Sequence, residues 1–95
     1  MRIEIKKFGT LLVSRQDGRE AYLAYLPTLR ALAPQESVEI DFTGVTTFTP
    51  SWGDEFLTPI VKEFGKRVFF RNTKNPSVDL TIKMLDKISG GFPLA

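Results

Sequence analysis

The chain has 95 residues, a net charge of +2, an apolar fraction of 42% and eight Phe. That is enough for one globular domain with a modest core, and too apolar for disorder. It holds neither cysteine nor histidine, which excludes a disulfide framework, a thiol nucleophile, a cysteine zinc site and the commonest general base. The Lys and Arg residues are dispersed, unlike the clustered stripe of a nucleic-acid binder. No apolar run approaches the ~20 residues that cross a bilayer, and the N-terminus lacks the apolar core of a secretory signal. The expectation is a single cytoplasmic domain over residues 1–95, with no cofactor, metal, nucleic-acid or membrane partner.

Arg2 to Lys7 alternates polar and apolar residues, with Ile3 and Ile5 on one side, as a half-buried strand does. Phe8-Gly9-Thr10 turns the chain and Leu11 to Ser14 resumes extended structure, so an N-terminal β-hairpin is expected. Asp17-Gly18-Arg19-Glu20 has capping-box spacing, with Asp in place of Ser or Thr. It predicts a helix presenting Tyr22, Tyr25, Leu26, Leu29 and Leu32 on one face. Pro27 interrupts that helix by removing a donor and crowding the preceding turn, which leaves a kink and a split both open. Pro34 ends the segment.

Val38 to Phe42 is nearly continuous in strand formers and reads as a central strand covered on both faces. Thr43 to Pro50 is a Thr-rich connection. Ser51 is placed to N-cap the next helix, with Asp54 and Glu55 in its first turn. Trp52, Phe56, Ile60 and Phe64 recur every four residues beside Leu57 and Val61, a wide buried stripe. Pro59 either kinks this helix or, after Thr58, restarts it. Gly65 suits a C-cap, Val68-Phe69-Phe70 a short buried strand, and Asn75-Pro76 the start of a last helix. The apolar face of that helix is Val78, Ile82, Leu85 and Ile88, broadened by Leu80 and Met84. Gly90-Gly91 stops it, and Phe92 to Ala95 is read as a loose tail.

The element order is therefore β-β-α-β-α-β-α, an α/β domain with a mostly parallel central sheet packed with helices. Phe69-Phe70-Arg71 reads as core rather than as an RNA-binding surface.

Asp41-Phe42-Thr43-Gly44-Val45 resembles the Asp-Leu-Ser-Gly-Val strand end of STAS domains, the fold of bacterial anti-sigma factor antagonists. Thr49-Pro50-Ser51-Trp52 stands where those domains carry Asp-Ser-Ser-Gly. The whole stretch is more similar to a small STAS-like family of unknown function, with an Asp-Phe-x-x-Val strand and a Ser-Pro-Ser-Phe-type turn before an Asp-Glu helix start. The resemblance runs from about Lys7 to Ile88 and is sharp from Val38 to Phe56. It implies a STAS-like domain lacking the last strand and helix, which leaves a sheet edge open. That edge, with Phe92 and Leu94, would support a homodimer.

The resemblance also implies a non-enzymatic regulatory module that binds a protein partner, such as a sensor ATPase or anti-sigma-type kinase. Phosphorylation would then tune the turn before the second helix. An ungapped match sets Thr49 opposite the usual Asp, Pro50 opposite the usual acceptor serine and Ser51 opposite its neighbour. Proline accepts no phosphate, so Ser51 and Thr49 are the candidate acceptors. Asp41, Gly44, Trp52, Asp54, Glu55 and Arg15 are the candidate partner-binding and loop residues, Arg15 matching a Ser-Arg or Thr-Arg pair of the family.

Each candidate has a structural reading beside the functional one. Ser51 caps a helix, Asp41 caps the turn after Gly44, Asp54 and Glu55 complement a helix dipole, and Trp52 packs in the core rather than in an interface. Arg15 is placed to pair with Asp41 or hold an anion. A hydrolase or transferase using Asp41, Asp54 and Glu55 lacks a nucleophile–base pair and a metal cluster. A structural subunit acting through the open sheet edge is the alternative to the switch.

Overall fold

The computed structural model describes residues 1–93. Five strands and three helices follow one another in it: β1 Arg2–Glu4, β2 Leu11–Leu12, α1 Arg15–Arg30, β3 Val38–Asp41, β4 Thr47–Phe48, α2 Pro50–Phe64, β5 Val68–Arg71 and α3 Pro76–Ser89. The expected α/β arrangement is present, and the Thr-rich connection contains a short strand, β4, that its sequence did not announce. The main sheet runs β1-β3-β5, all parallel, with Ile3 opposite Ile40 and Val38 opposite Val68. The two N-terminal strands anticipated as a hairpin are there, but neither bonds to the other. A 3-10 turn at Ile5–Phe8 and Gly9, at φ 123°, separate them. β2 instead pairs in parallel with β4, Leu12 opposite Phe48. The N-terminal segment thus follows the β3–β4 segment along two successive parallel ladders.

Ile3, Val38, Ile40 and Val68 point into the core, where they meet Leu29 of α1, Phe56 and Ile60 of α2 and Leu85 of α3. Aromatic rings form a continuous chain through it. Phe8 touches Tyr25, Trp52 and Phe56; Trp52 lies 5.6 Å from Phe48; Phe42 lies 5.2 Å from Phe48 and 5.7 Å from Phe70. Phe70 in turn meets Phe92 at 6.1 Å. Phe92 is thus buried, and its N–H donates to Asp86 Oδ1. It is core rather than loose tail, while Leu94 and Ala95 lie outside the described residues.

The opposite face of the sheet is open, contrary to the expectation that β3 is covered on both sides. Val-Glu-Ile-Asp alternates, and the outward positions carry charge: Arg2 bonds Asp41 and Arg71 bonds Glu39 across the strands. Ion pairs, not helices, occupy the surface that a parallel sheet ordinarily buries.

Both proline-interrupted helices are continuous. α1 passes through Pro27 and α2 through Pro59, since packing of the flanking turns outweighs one missing hydrogen bond at each. α3 begins at Asn75, whose Oδ1 accepts from the N–H groups of Ser77 and Val78, and Gly65 and Gly90 cap α2 and α3.

Candidate functional site

Because β2 and β4 are parallel neighbours, the helices that follow them start side by side. Ser14 caps α1, its Oγ accepting from Asp17 N–H at 3.1 Å. The helix therefore begins ahead of the Asp17 box, with Asp17 in its first turn, where a negative charge is favourable. Thr49, not Ser51, caps α2. Pro50 explains the difference: proline fixes the first helical position and forces an extended residue before it, and Thr49 has φ −102° and ψ 158°. The Thr49 side chain accepts from Trp52 N–H at 3.4 Å and donates to Val13 O at 2.7 Å. Its own N–H donates to Leu12 O at 3.0 Å. One residue thus caps α2 and ties it to the entry of α1. Ser51 falls at the second helical position, half-buried.

Arg15 spans the two helix starts, donating to Asp54 at 3.0 Å and Glu55 at 2.9 Å. It does not pair with Asp41, one of the two roles open to it from the sequence, the other being to hold an anion. The Arg15 guanidinium holds the Asp54 carboxyl below its ordinary range against partial burial, helped by a 2.9 Å bond from the Thr58 hydroxyl. Thr58 therefore serves Asp54 rather than capping a second helix. Beneath this corner the helices touch closely, and Gly18 and Gly53 are both buried. Trp52, 1% exposed, belongs to the aromatic chain and offers no surface to a partner.

Asp41 belongs to a second cluster, at the carboxyl end of β3. It is 2% exposed. Burial by itself would raise its pKa, but bonds from Asn72, from the hydroxyl and N–H of Thr43, and from Arg2 outweigh it and hold the carboxyl well below the usual carboxylate range. The lengths are 2.8 Å from Asn72, 2.8 Å and 3.0 Å from Thr43, and 2.5 Å from Arg2. Asp41 therefore caps Thr43 rather than the N–H groups beyond Gly44. Gly44, at φ 82°, completes the tight turn closed by Val45 N–H to Phe42 O. Asn72 takes the left-handed conformation at φ 58°, which its short amide side chain tolerates.

Seen from the sequence, Arg15, Asp54 and Glu55 come together, Thr49 and Ser51 stand beside them, and Asp41 with Gly44 form a separate turn. Arg2, Thr43, Asn72 and Gly18 join the site builders only in the folded structure. An Asn directly after a strand, a residue type suited to positive φ, was the available signal for Asn72.

Chemically, these carboxylates are poorly suited to proton transfer. Asp41 is saturated with donors and Asp54 is held by the Arg15 guanidinium and the Thr58 hydroxyl; a carboxylate stabilised in this way is a weak base near neutral pH. Among the described residues, no group of three or more His, Cys, Asp or Glu is placed to hold a metal ion, and no helix is long and apolar enough to cross a membrane. What the corner presents is a shaped, hydrogen-bonded surface at two adjoining helix starts.

No solved structure matches the chain. It is similar to a glutathione synthetase of Wigglesworthia glossinidia brevipalpis, 26% identical over 91 residues, a match that covers 95% of this chain and 29% of that protein. The chain thus spans under a third of the length of this relative. A family profile described as a STAS-like domain of unknown function (DUF4325) matches residues 22–78, from within α1 to the start of α3. The protein belongs to this STAS-like family, whose fold class is regulatory and non-catalytic.

Proposed function

We propose that the protein is a non-enzymatic regulatory module that binds another protein through the corner formed by the starts of α1 and α2. Its binding is tuned by phosphorylation at the turn before α2. The partner class that fits is a sensor ATPase or anti-sigma-type kinase. The observation that carries this reading is the division of labour between the two hydroxyls. The Thr49 hydroxyl is committed to Val13 and to the cap, whereas Ser51 is half-exposed one step into the helix. A phosphate there would add nearly two negative charges beside Asp54 and Glu55, enough to change a partner's contact.

The test is a pull-down from the native host with the wild type and with Ser51→Asp, read by mass spectrometry. An ATPase retained by the wild type and lost by the variant supports the switch. A partner held equally by both overturns it and leaves a constitutive interaction module.

A second reading, an assembly subunit without a switch, is favoured by the outer edges of β1 and β5, which bond to no further strand among the described residues. It requires concentration-dependent dimers that disappear when an edge residue is replaced by a charged one. A monomer at every concentration removes it.

A further inference from the structure

The apolar surface of α3 divides into two stripes. Val78, Ile82 and Leu85 are buried against the core, whereas Leu80, Met84 and Ile88, four residues apart, are 65%, 48% and 72% exposed. Ile88, expected in the core face, therefore lies outside it. The exposed stripe is about 12 Å long at 1.5 Å per residue, two helical turns of continuous apolar surface. It does not stand alone. A cavity of about 260 Å³ opens beside it, with Leu80 and Met84 on one wall and Thr47, Thr49 and Pro50 on the other. The result is a groove between one helix and a rigid turn, a shape that takes a second helix laid along the first.

Charge decides between occupants. Lys83 and Lys87 border the stripe on the side away from the groove, both exposed. Lys83 is paired with Asp79 on its own helix. A second copy docked antiparallel about Met84, the arrangement that sets Leu80 against Ile88, would place these lysines against their own counterparts. Like charges so opposed disfavour it. We propose that this face of α3 binds an amphipathic helix of another protein, one whose apolar stripe is bordered by Asp or Glu. The proposal rests on the reading of the chain as an interaction module and is independent of any switch at Ser51.

Two synthetic helical peptides test it, identical in a leucine stripe and bearing either glutamate or lysine along its border. Each is titrated into the isotopically labelled protein and followed by backbone amide NMR. The glutamate peptide is expected to move the amides of Ser77–Ile88 and of Thr47–Thr49, and Met84→Glu to weaken it about tenfold or more. Ile88→Glu, a fully surface change, is the second variant should Met84→Glu disturb the fold. Reversing both Lys83 and Lys87 to Glu should transfer the preference to the lysine peptide. Equal binding of the two peptides, no movement of these amides, or a dimer of the protein alone that Met84→Glu dissociates would each overturn the proposal. Ser51 is not among the residues that line the groove, so Ser51→Asp tests the switch separately.

Discussion

A β-carbon on Gly18 would lie 2.4 Å from the carbonyl oxygen of Trp52. The backbones of α1 and α2 are therefore in direct contact, and glycine is the one residue that permits it. Gly18→Ala should force the helices apart and cost about 1–3 kcal/mol or more, as overpacking does. Urea unfolding checks this. Gly53→Ala meets only side-chain atoms of Phe48, Leu85 and Thr81, at 3.0–3.1 Å, and should cost less.

Thr49 and Ser51 should separate cleanly in stability. Thr49→Val keeps the volume but removes the cap and the bond to Val13, for an expected loss of about 1–2 kcal/mol. Ser51→Ala should stay within about 0.5 kcal/mol. If the two losses in urea were equal, Thr49 would not be the cap that organises this corner.

Asp41 sets an acid limit. Its folded pKa is depressed, so the unfolded chain binds more protons than the folded one between the two pKa values. The stabilisation it supplies is complete above its unfolded pKa of about 4 and is lost as the pH falls from there toward the folded value. Asp41→Asn should lose about 2 kcal/mol at neutral pH, the scale of hydrogen bonds to a charged group. The gap between wild type and variant should narrow in unfolding experiments run at progressively lower pH.

Arg15 should matter more for the Asp54 proton than for stability. It is more than half exposed, and solvent screens such pairs. Arg15→Ala should barely move the urea midpoint. The Asp54 carboxyl should nevertheless titrate at higher pH than in the wild type, because its largest stabilising bond is gone. Side-chain carbon NMR across an acid titration reads the Asp54 carboxyl directly.

Pro27 should be replaceable with gain. It is exposed and sits within a continuous α1, where it denies Leu23 a backbone partner. Pro27→Ala restores that hydrogen bond at the expense of a less restricted unfolded chain. The net expectation is a rise in the thermal midpoint, and a fall would show that the proline is needed for the helix's path.

The hydrophobic spacing of α2, the Asn75-Pro76 start of α3 and the strand formers of β3 were legible because each signal is local. Periodicity and capping chemistry act within a few residues. Most departures originate in partners that are distant in sequence, whereas the one at Ser51 is local, set by the adjacent Pro50. Leu11-Leu12 looks like half of a hairpin until Thr47-Phe48, 36 residues on, supplies its parallel mate. Ser51 looks like a cap until Pro50 hands that place to Thr49. Asp41 and Arg15 are opposite charges that invite pairing, yet each found a nearer partner, Arg2 for one and Asp54 with Glu55 for the other.

The amino-acid pattern alone determined the α/β class, the order of the helices and of every strand but β4, and the family resemblance, since burial periodicity and turn chemistry follow from neighbouring residues. Tertiary structure alone decided which strands pair, which face of the sheet stays open, that the starts of α1 and α2 adjoin, and which half of α3's apolar surface is left exposed. Those outcomes depend on contacts between segments tens of residues apart, where many pairings satisfy the same local pattern and only the packed core selects one.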